Sequence, residues 1–89
     1  ENVRKRWNVY INKAYEIAKI LNLDKECTIL EIGSGPGTYT LPFSKIVKHV
    51  TVIEPSKGMI NELVKNIRKW NVSNITIINK KWEDVIPYV

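Results

Sequence analysis

Three glycines in five residues, Gly33-Ser34-Gly35-Pro36-Gly37, separate an apolar run from a stretch of helical spacing, and no other feature restricts the fold as much. Glycine lets the chain take positive φ in a sharp strand-to-helix turn, and it lets a ligand approach the backbone without a Cβ in the way. A helix that follows such a turn presents unpaired N–H groups to the same crevice. Before the turn, Thr28-Ile29-Leu30-Glu31-Ile32 reads as a β-branched strand. After it, Thr38 to Val47 resumes helical spacing through Leu41, Ile46 and Val47, with Pro42 near the first turns, where a missing N–H matters least.

The rest of the chain repeats this alternation. Trp7, Tyr10, Ile11, Ala14, Ile17, Ala18 and Leu21 recur at three- and four-residue spacing, so residues 1–22 are predicted to hold an amphipathic helix. Lys48 and His49 close the second helix, and Val50-Thr51-Val52-Ile53 forms a second short strand ending at Glu54. Ser56 is placed to cap a third helix, whose apolar face is Met59, Ile60, Leu63, Val64, Ile67 and Trp70. Ile75-Thr76-Ile77-Ile78 is a third strand, and residues 79–89 read as a loop with room for one short helical turn. Strands separated by helices require parallel pairing through right-handed crossovers. The predicted fold is therefore α/β, a helix followed by βαβαβ.

At 89 residues the chain fits one small domain, which buries about 60 to 65% of the surface its unfolded form exposes. No apolar run approaches the roughly 20 residues that cross a bilayer, and no secretory signal is visible. Cys27 is a lone cysteine without a disulfide partner, so a reducing, cytoplasmic compartment is expected. The first residue is Glu1 rather than Met, which points to a trimmed chain whose termini are not natural domain edges. A net charge of +5 invites a nucleic-acid reading. The cations are spread along the chain over Arg4-Lys5-Arg6, Lys45, Lys48, Lys65, Arg68, Lys69 and Lys80-Lys81, which favours solvated helix backs over a specific patch.

Two acids sharpen the reading of the glycine turn. Glu54 follows the second strand, 19 residues after Gly35, where a carboxylate can accept from both hydroxyls of a ribose. Glu31 interrupts an otherwise apolar strand two residues before the first glycine, and a charge there is costly unless it meets a partner. A dinucleotide-binding turn reads G-x-G-x-x-G, whereas here Thr38 holds the last position and Gly37 falls one residue early. An acid at Glu31 also repels a pyrophosphate and suits a cofactor with an amino group and a sulfonium. No Cys-x-x-Cys pair, histidine cluster, nucleophile elbow or Walker-type lysine offers other chemistry, no metal site is expected, and His49 reads as a helix-end cation.

The run from Glu31 to Pro42 resembles the first motif of the class I, Rossmann-like S-adenosylmethionine-dependent methyltransferases, and Val52-Ile53-Glu54-Pro55-Ser56-Lys57-Gly58-Met59 resembles their second. The resemblance covers essentially Tyr10 to Val85 and implies S-adenosyl-L-methionine as cofactor. It places Glu31 toward the methionine part, with Gly33, Ser34, Gly35 and Gly37 in the turn that lines it. It sets Glu54 on the ribose, and Pro55, Ser56 and Met59 near the adenine, although Met59 also fits an ordinary core stripe. After the third strand, Trp82 could pack on adenine and Glu83 or Asp84 could accept from its amino group, or the three could simply anchor the loop. Lys81 stands where the family often has an acid.

The family's sheet has seven strands, and its catalytic residues usually come from the fourth onward, so the chain is read as the N-terminal half of such a sheet with no catalytic residue to name. The first strand is central in the full sheet, and its open edge could pair two copies into a homodimer. The methyl acceptor is left as RNA, protein or small molecule. Two competing readings are an NAD-linked oxidoreductase half-domain and a non-catalytic interaction module that keeps the nucleotide fold.

Overall fold

The computed structural model describes residues 3–85. Its elements run α1 (Val3–Ile20), β1 (Thr28–Ile32), α2 (Thr40–Ser44), β2 (His49–Ile53), α3 (Lys57–Trp70), β3 (Ile75–Ile78) and α4 (Trp82–Val85). The three strands form one parallel sheet in the order β1-β2-β3. Glu31 lies beside Val52, and Val52 beside Ile77, so these residues share a face. The expected α/β order of a helix followed by βαβαβ is what the chain adopts, and the first and third strands have the predicted limits.

Parallel strands normally bury both faces, but here one face carries nearly all the packing. Val50 and Val52, fully buried, meet Leu63 of α3 and Val47, and Ile29, Ile67, Ile75 and Ile77 close around them. Burying such a side chain contributes about 1.5 to 3 kcal/mol. α1 lies against the same helical layer, with its Trp7 ring 5.8 Å from Trp70 and its Tyr10 ring edge-on to Tyr39 at 5.6 Å. On the opposite face Leu30 and Ile32 are exposed, and a trough of about 550 Å³ runs between Leu30, Thr51, Ile53, Ile78 and Val85. The outer edge of β1 has no strand beside it among the described residues.

Both long helices end through left-handed asparagines. At Asn22 (φ +55°) the Leu23 N–H returns to the Ala18 carbonyl at 2.8 Å, and at Asn71 (φ +54°) the Val72 N–H returns to Ile67. The first of these stops corrects the expected face of α1. Helical register ends at Ile20, so Leu21 points to solvent and Leu23 packs on the core in its place. α3 starts as predicted, with the Ser56 hydroxyl accepting from the Met59 N–H at 3.2 Å.

The second helix is shorter than its spacing predicts, five residues instead of the stretch from Thr38 to Val47. Past Ser44 the N–H groups of Lys45, Ile46 and Val47 still return to Pro42 and Phe43, but Asn74 reaches back from the start of β3 and donates to the carbonyls of Ser44, Val47 and Lys48, so tertiary bonds end the helix there. His49 is not a helix-end residue. It opens β2, and its Nε2 lies 2.8 Å from Thr76 Oγ1 on the neighbouring strand. In the segment after β3 the structure forms the short α4, and residues 86–89 of the expected loop lie outside the described residues.

Candidate functional site

The strand ends and the glycine turn meet at the carboxyl edge of the sheet. Gly33 continues β1 by donating to the Ile53 carbonyl at 2.9 Å, and the chain then turns through Gly33, Gly35 and Gly37, all at positive φ. The three glycines differ in what surrounds them. At Gly35 (φ +57°) a Cβ would meet nothing within 4 Å, and the same holds at Gly33, so both leave open space over the backbone. At Gly37 (φ +96°) a Cβ would stand 2.6 Å from Leu63 Cδ1. Gly37 therefore lets the turn sit directly on α3, while Gly33 and Gly35 form a cradle that side chains would fill.

Glu54 ties this turn to the end of β2. It is almost fully buried, its Oε1 accepts from the Gly35 N–H at 3.0 Å, and its Oε2 accepts from the Ser56 N–H at 2.9 Å. Each carboxylate oxygen keeps a further lone pair, so the clasp leaves capacity for hydroxyl donors. The Glu54 and Pro55 carbonyls in turn accept from the Asn79 amide at 2.9 and 3.1 Å, which joins the segment after β3 to the same corner.

Glu31 faces the turn from β1, half-buried, and accepts from the Thr40 hydroxyl at the start of α2. Burial pushes its carboxyl above the ordinary carboxylate value, the Thr40 bond works against that rise, and the nearby charge of Glu54 adds to it. Two carboxylates thus look onto one crevice, and among the described residues no cation is hydrogen-bonded to either. Such a pocket repels a pyrophosphate and attracts an ammonium or sulfonium.

The raised value has a consequence for stability. The folded chain holds this proton more tightly than the unfolded one, so the contribution of Glu31 is fully present below the ordinary carboxylate range and is lost as pH rises through the raised value. Glu31→Gln should unfold at a higher urea concentration than the wild type at about pH 7, and the difference should vanish near about pH 4. A variant less stable than the wild type at neutral pH would show that the Thr40 bond, not burial, decides the energy of this carboxylate.

The remaining candidates occupy the same end of the sheet with different exposure. Ser34 is buried and its hydroxyl donates to the Gly35 carbonyl at 3.2 Å. Pro55 and Ser56 are exposed, and Met59 is exposed too, so it is not part of the core stripe of α3. Trp82, half-buried, and Glu83, exposed, stand on α4, and no described hydrogen bond joins either to the glycine turn. Thr40, Asn66 and Asn79 escaped the sequence reading. Asn66 donates from α3 to the Pro36 carbonyl at 2.9 Å and holds the outer side of the turn. Only Thr40 carries a sequence signal, a hydroxyl at the start of a helix that follows a glycine turn.

Comparison with known proteins identifies the family. Residues 10–85 match the family of ribosomal RNA adenine dimethylases. A probable cobalt-precorrin-6B C(15)-methyltransferase (decarboxylating) of Methanococcus maripaludis is 39% identical over 74 residues, 83% of this chain and 40% of that protein. A probable ribosomal RNA small subunit methyltransferase A of Methanosphaera stadtmanae is 40% identical over 67 residues, 75% of this chain and 25% of its own length. The crystal structure of a tRNA (m1A58) methyltransferase from Aquifex aeolicus matches with a TM-score of 0.75 at 30% identity, over 81% of this chain and 30% of that one. The chain spans less than half the length of each of these relatives.

Proposed function

The chain belongs to the ribosomal RNA adenine dimethylase family of class I S-adenosylmethionine-dependent methyltransferases, and from that premise we propose that residues 28–85 form the cofactor-holding half of a methyltransferase domain. The observation that carries this reading is the pairing of an open glycine cradle at Gly33 and Gly35 with two carboxylates, Glu31 and Glu54, facing it. When bound, S-adenosylmethionine supplies a sulfonium whose methyl group is open to attack by a nucleophile. Glu31, steadied by Thr40, holds the cationic amino acid part, and the backbone of Gly33, Ser34 and Gly35 lies along it. Glu54 keeps the turn closed through Gly35 and Ser56 and accepts from the ribose hydroxyls. Pro55, Ser56 and Met59 border the adenine, and Trp82 and Glu83 on α4 complete that side.

The relatives' names span ribosomal RNA, tRNA and a cobalt-precorrin, so the part that all of them share with this chain serves the cofactor rather than the choice of acceptor. The chain's own share of the reaction is to fix the direction of the sulfonium and to surround it with a field suited to a charge that is lost in the transfer. The departure from G-x-G-x-x-G and the acid at Glu31 argue against the NAD-linked reading. Calorimetric titration of the whole chain should give saturable binding of S-adenosylhomocysteine and none of NAD. A folded chain that takes up neither would shift the reading to an interaction module.

The uncovered face and free edge of β1 bear on assembly. No helix among the described residues is long and apolar enough to cross a membrane, and Leu30 and Ile32 stand exposed on β1. We propose that the isolated chain pairs with a second copy along β1. Sedimentation velocity should show a dimer that Leu30→Lys converts to monomer, and a wild-type monomer at high concentration would remove the proposal.

A further inference from the structure

The corner that follows β2 is short of backbone donors. The Glu54 N–H donates to the Ile78 carbonyl at 3.0 Å and carries the pairing of β2 with β3 one residue further. Pro55 has no N–H, and the Ser56 N–H is taken by Glu54 Oε2 at 2.9 Å. The carbonyls of Glu54 and Pro55 instead accept from one side chain, the Asn79 amide, at 2.9 and 3.1 Å. Carbonyl oxygens only accept, so the nitrogen of that amide must face them, and the orientation of Asn79 is fixed by its partners.

These bonds grip a single rigid plane. The Pro55 carbonyl and the Ser56 N–H belong to one peptide unit, which is planar and trans, so they point to opposite sides of the chain. Asn79 holds the carbonyl side of that plane, and the Glu54 carboxylate holds the N–H side. Freed from Asn79, the plane can rotate, and the Ser56 N–H then turns away from Oε2. Oε1 keeps its bond to the Gly35 N–H, so the carboxylate stays attached to the turn but loses its second fixed point.

We infer that Asn79 is a positioning residue that sets the ribose selectivity of the site: it aims the Glu54 carboxylate from behind, without itself touching the ligand. The inference rests on the reading of Glu54 as the acceptor for the ribose hydroxyls and adds the residue that directs it. Glu31 is held differently, since the Thr40 hydroxyl bonds straight to its carboxylate. Support from behind leaves the outer lone pairs of Glu54 free for the ligand. Asn79 and Pro55 are exposed, so water can replace the amide on the freed carbonyls, and the fold loses little. Recognition of two hydroxyls tolerates less, because a binding group must be held within about 0.5 Å of its productive place.

The test compares the whole chain with Asn79→Ala and with Asn79→Asp, which keeps the shape of the side chain but not its N–H groups. Each is titrated calorimetrically with S-adenosylhomocysteine and with its 2′-deoxy analogue. In the wild type, loss of the hydroxyl should weaken binding about tenfold or more. Both variants should bind S-adenosylhomocysteine about tenfold more weakly, and for them the two ligands should differ by no more than about threefold. Without ligand, the Ser56 N–H should exchange with solvent about tenfold faster in Asn79→Ala, while the Val50 N–H, bonded to the Asn74 carbonyl, keeps its rate. Should Asn79→Ala fail to fold, Asn79→Ser takes its place, because a hydroxyl can still donate to one of the two carbonyls. Equal weakening of both ligands, wild-type selectivity in either variant, or Ser56 exchange at the wild-type rate would each overturn the inference while leaving the cofactor reading intact. A wild-type chain that binds neither ligand would instead defeat the cofactor reading, and the selectivity with it.

Discussion

Glu54→Ala is expected to weaken S-adenosylhomocysteine binding about 100-fold or more and to lower the stability of the chain by about 3 to 5 kcal/mol. Both effects arise because one side chain serves two purposes. Its oxygens accept from the Gly35 and Ser56 N–H groups at 3.0 and 2.9 Å in a buried setting. Alanine leaves both donors without a partner, and each loss costs about 1 to 3 kcal/mol. On the proposed cofactor reading the ligand loses two carboxylate–hydroxyl bonds at the same time, each about 1.5 to 3 kcal/mol, which together exceed a factor of 100. Glu54→Gln separates the two purposes. It keeps the volume and one acceptor oxygen but sets an amide N–H₂ against one backbone donor, so it should fold with a smaller loss and bind between the other two proteins. Urea denaturation and calorimetry on the three proteins decide the matter. Wild-type affinity in a folded Glu54→Ala chain would mean that Glu54 is a clasp and not a ligand contact.

Gly37→Ala should reduce stability by about 2 to 5 kcal/mol, nearly as much as the loss of Glu54. The left-handed region costs a residue with a Cβ about 1 to 2 kcal/mol, and here φ is +96°. The new methyl would also lie 2.6 Å from Leu63 Cδ1 and 3.5 Å from Leu41, both fully buried, and such overpacking adds about 1 to 3 kcal/mol. In a chain of this size the melting temperature should fall by roughly 10 to 30 °C. Gly33→Ala pays only the backbone cost, since nothing lies within 4 Å of its Cβ position. Gly35→Ala pays the same backbone cost and puts its methyl over the cradle, so its larger effect should be on S-adenosylhomocysteine affinity. Equal destabilisation by all three substitutions in urea would show that dihedral cost alone governs the turn and that contact with Leu63 is relieved by a rotamer change.

These two glycine effects could not be separated by reading residues alone. The spacing of Gly33, Gly35 and Gly37 identifies a turn, but the role of each depends on whether a helix lies behind it, and α3 reaches Gly37 from 26 residues further along the chain. The acids were more legible. Glu31 and Glu54 stand out because a charge inside or just after an apolar strand violates the pattern around it, and a violation of that kind has few explanations. Met59 shows the limit of the same logic, for a methionine at helical spacing reads as core, yet here it is exposed. Leu21 fits the period of α1 but lies past its last helical residue, Ile20, and just before the left-handed Asn22.

By itself the sequence determined the order of elements, the limits of β1 and β3, the cap at Ser56, and the two acids beside a glycine turn. All of these follow from residues within a few positions of one another, where the periods of 2 and 3.6 and the steric freedom of glycine act directly. Tertiary structure alone decided that α2 is short, that Asn74, Asn66, Asn79 and Thr40 hold the turn and its neighbours, and that Lys45 reaches the Trp70 carbonyl. Those contacts join residues 9 to 30 positions apart. A polar side chain at the end of an element finds its acceptor only after the sheet has brought distant backbone carbonyls within reach, and no local pattern encodes which carbonyl that will be.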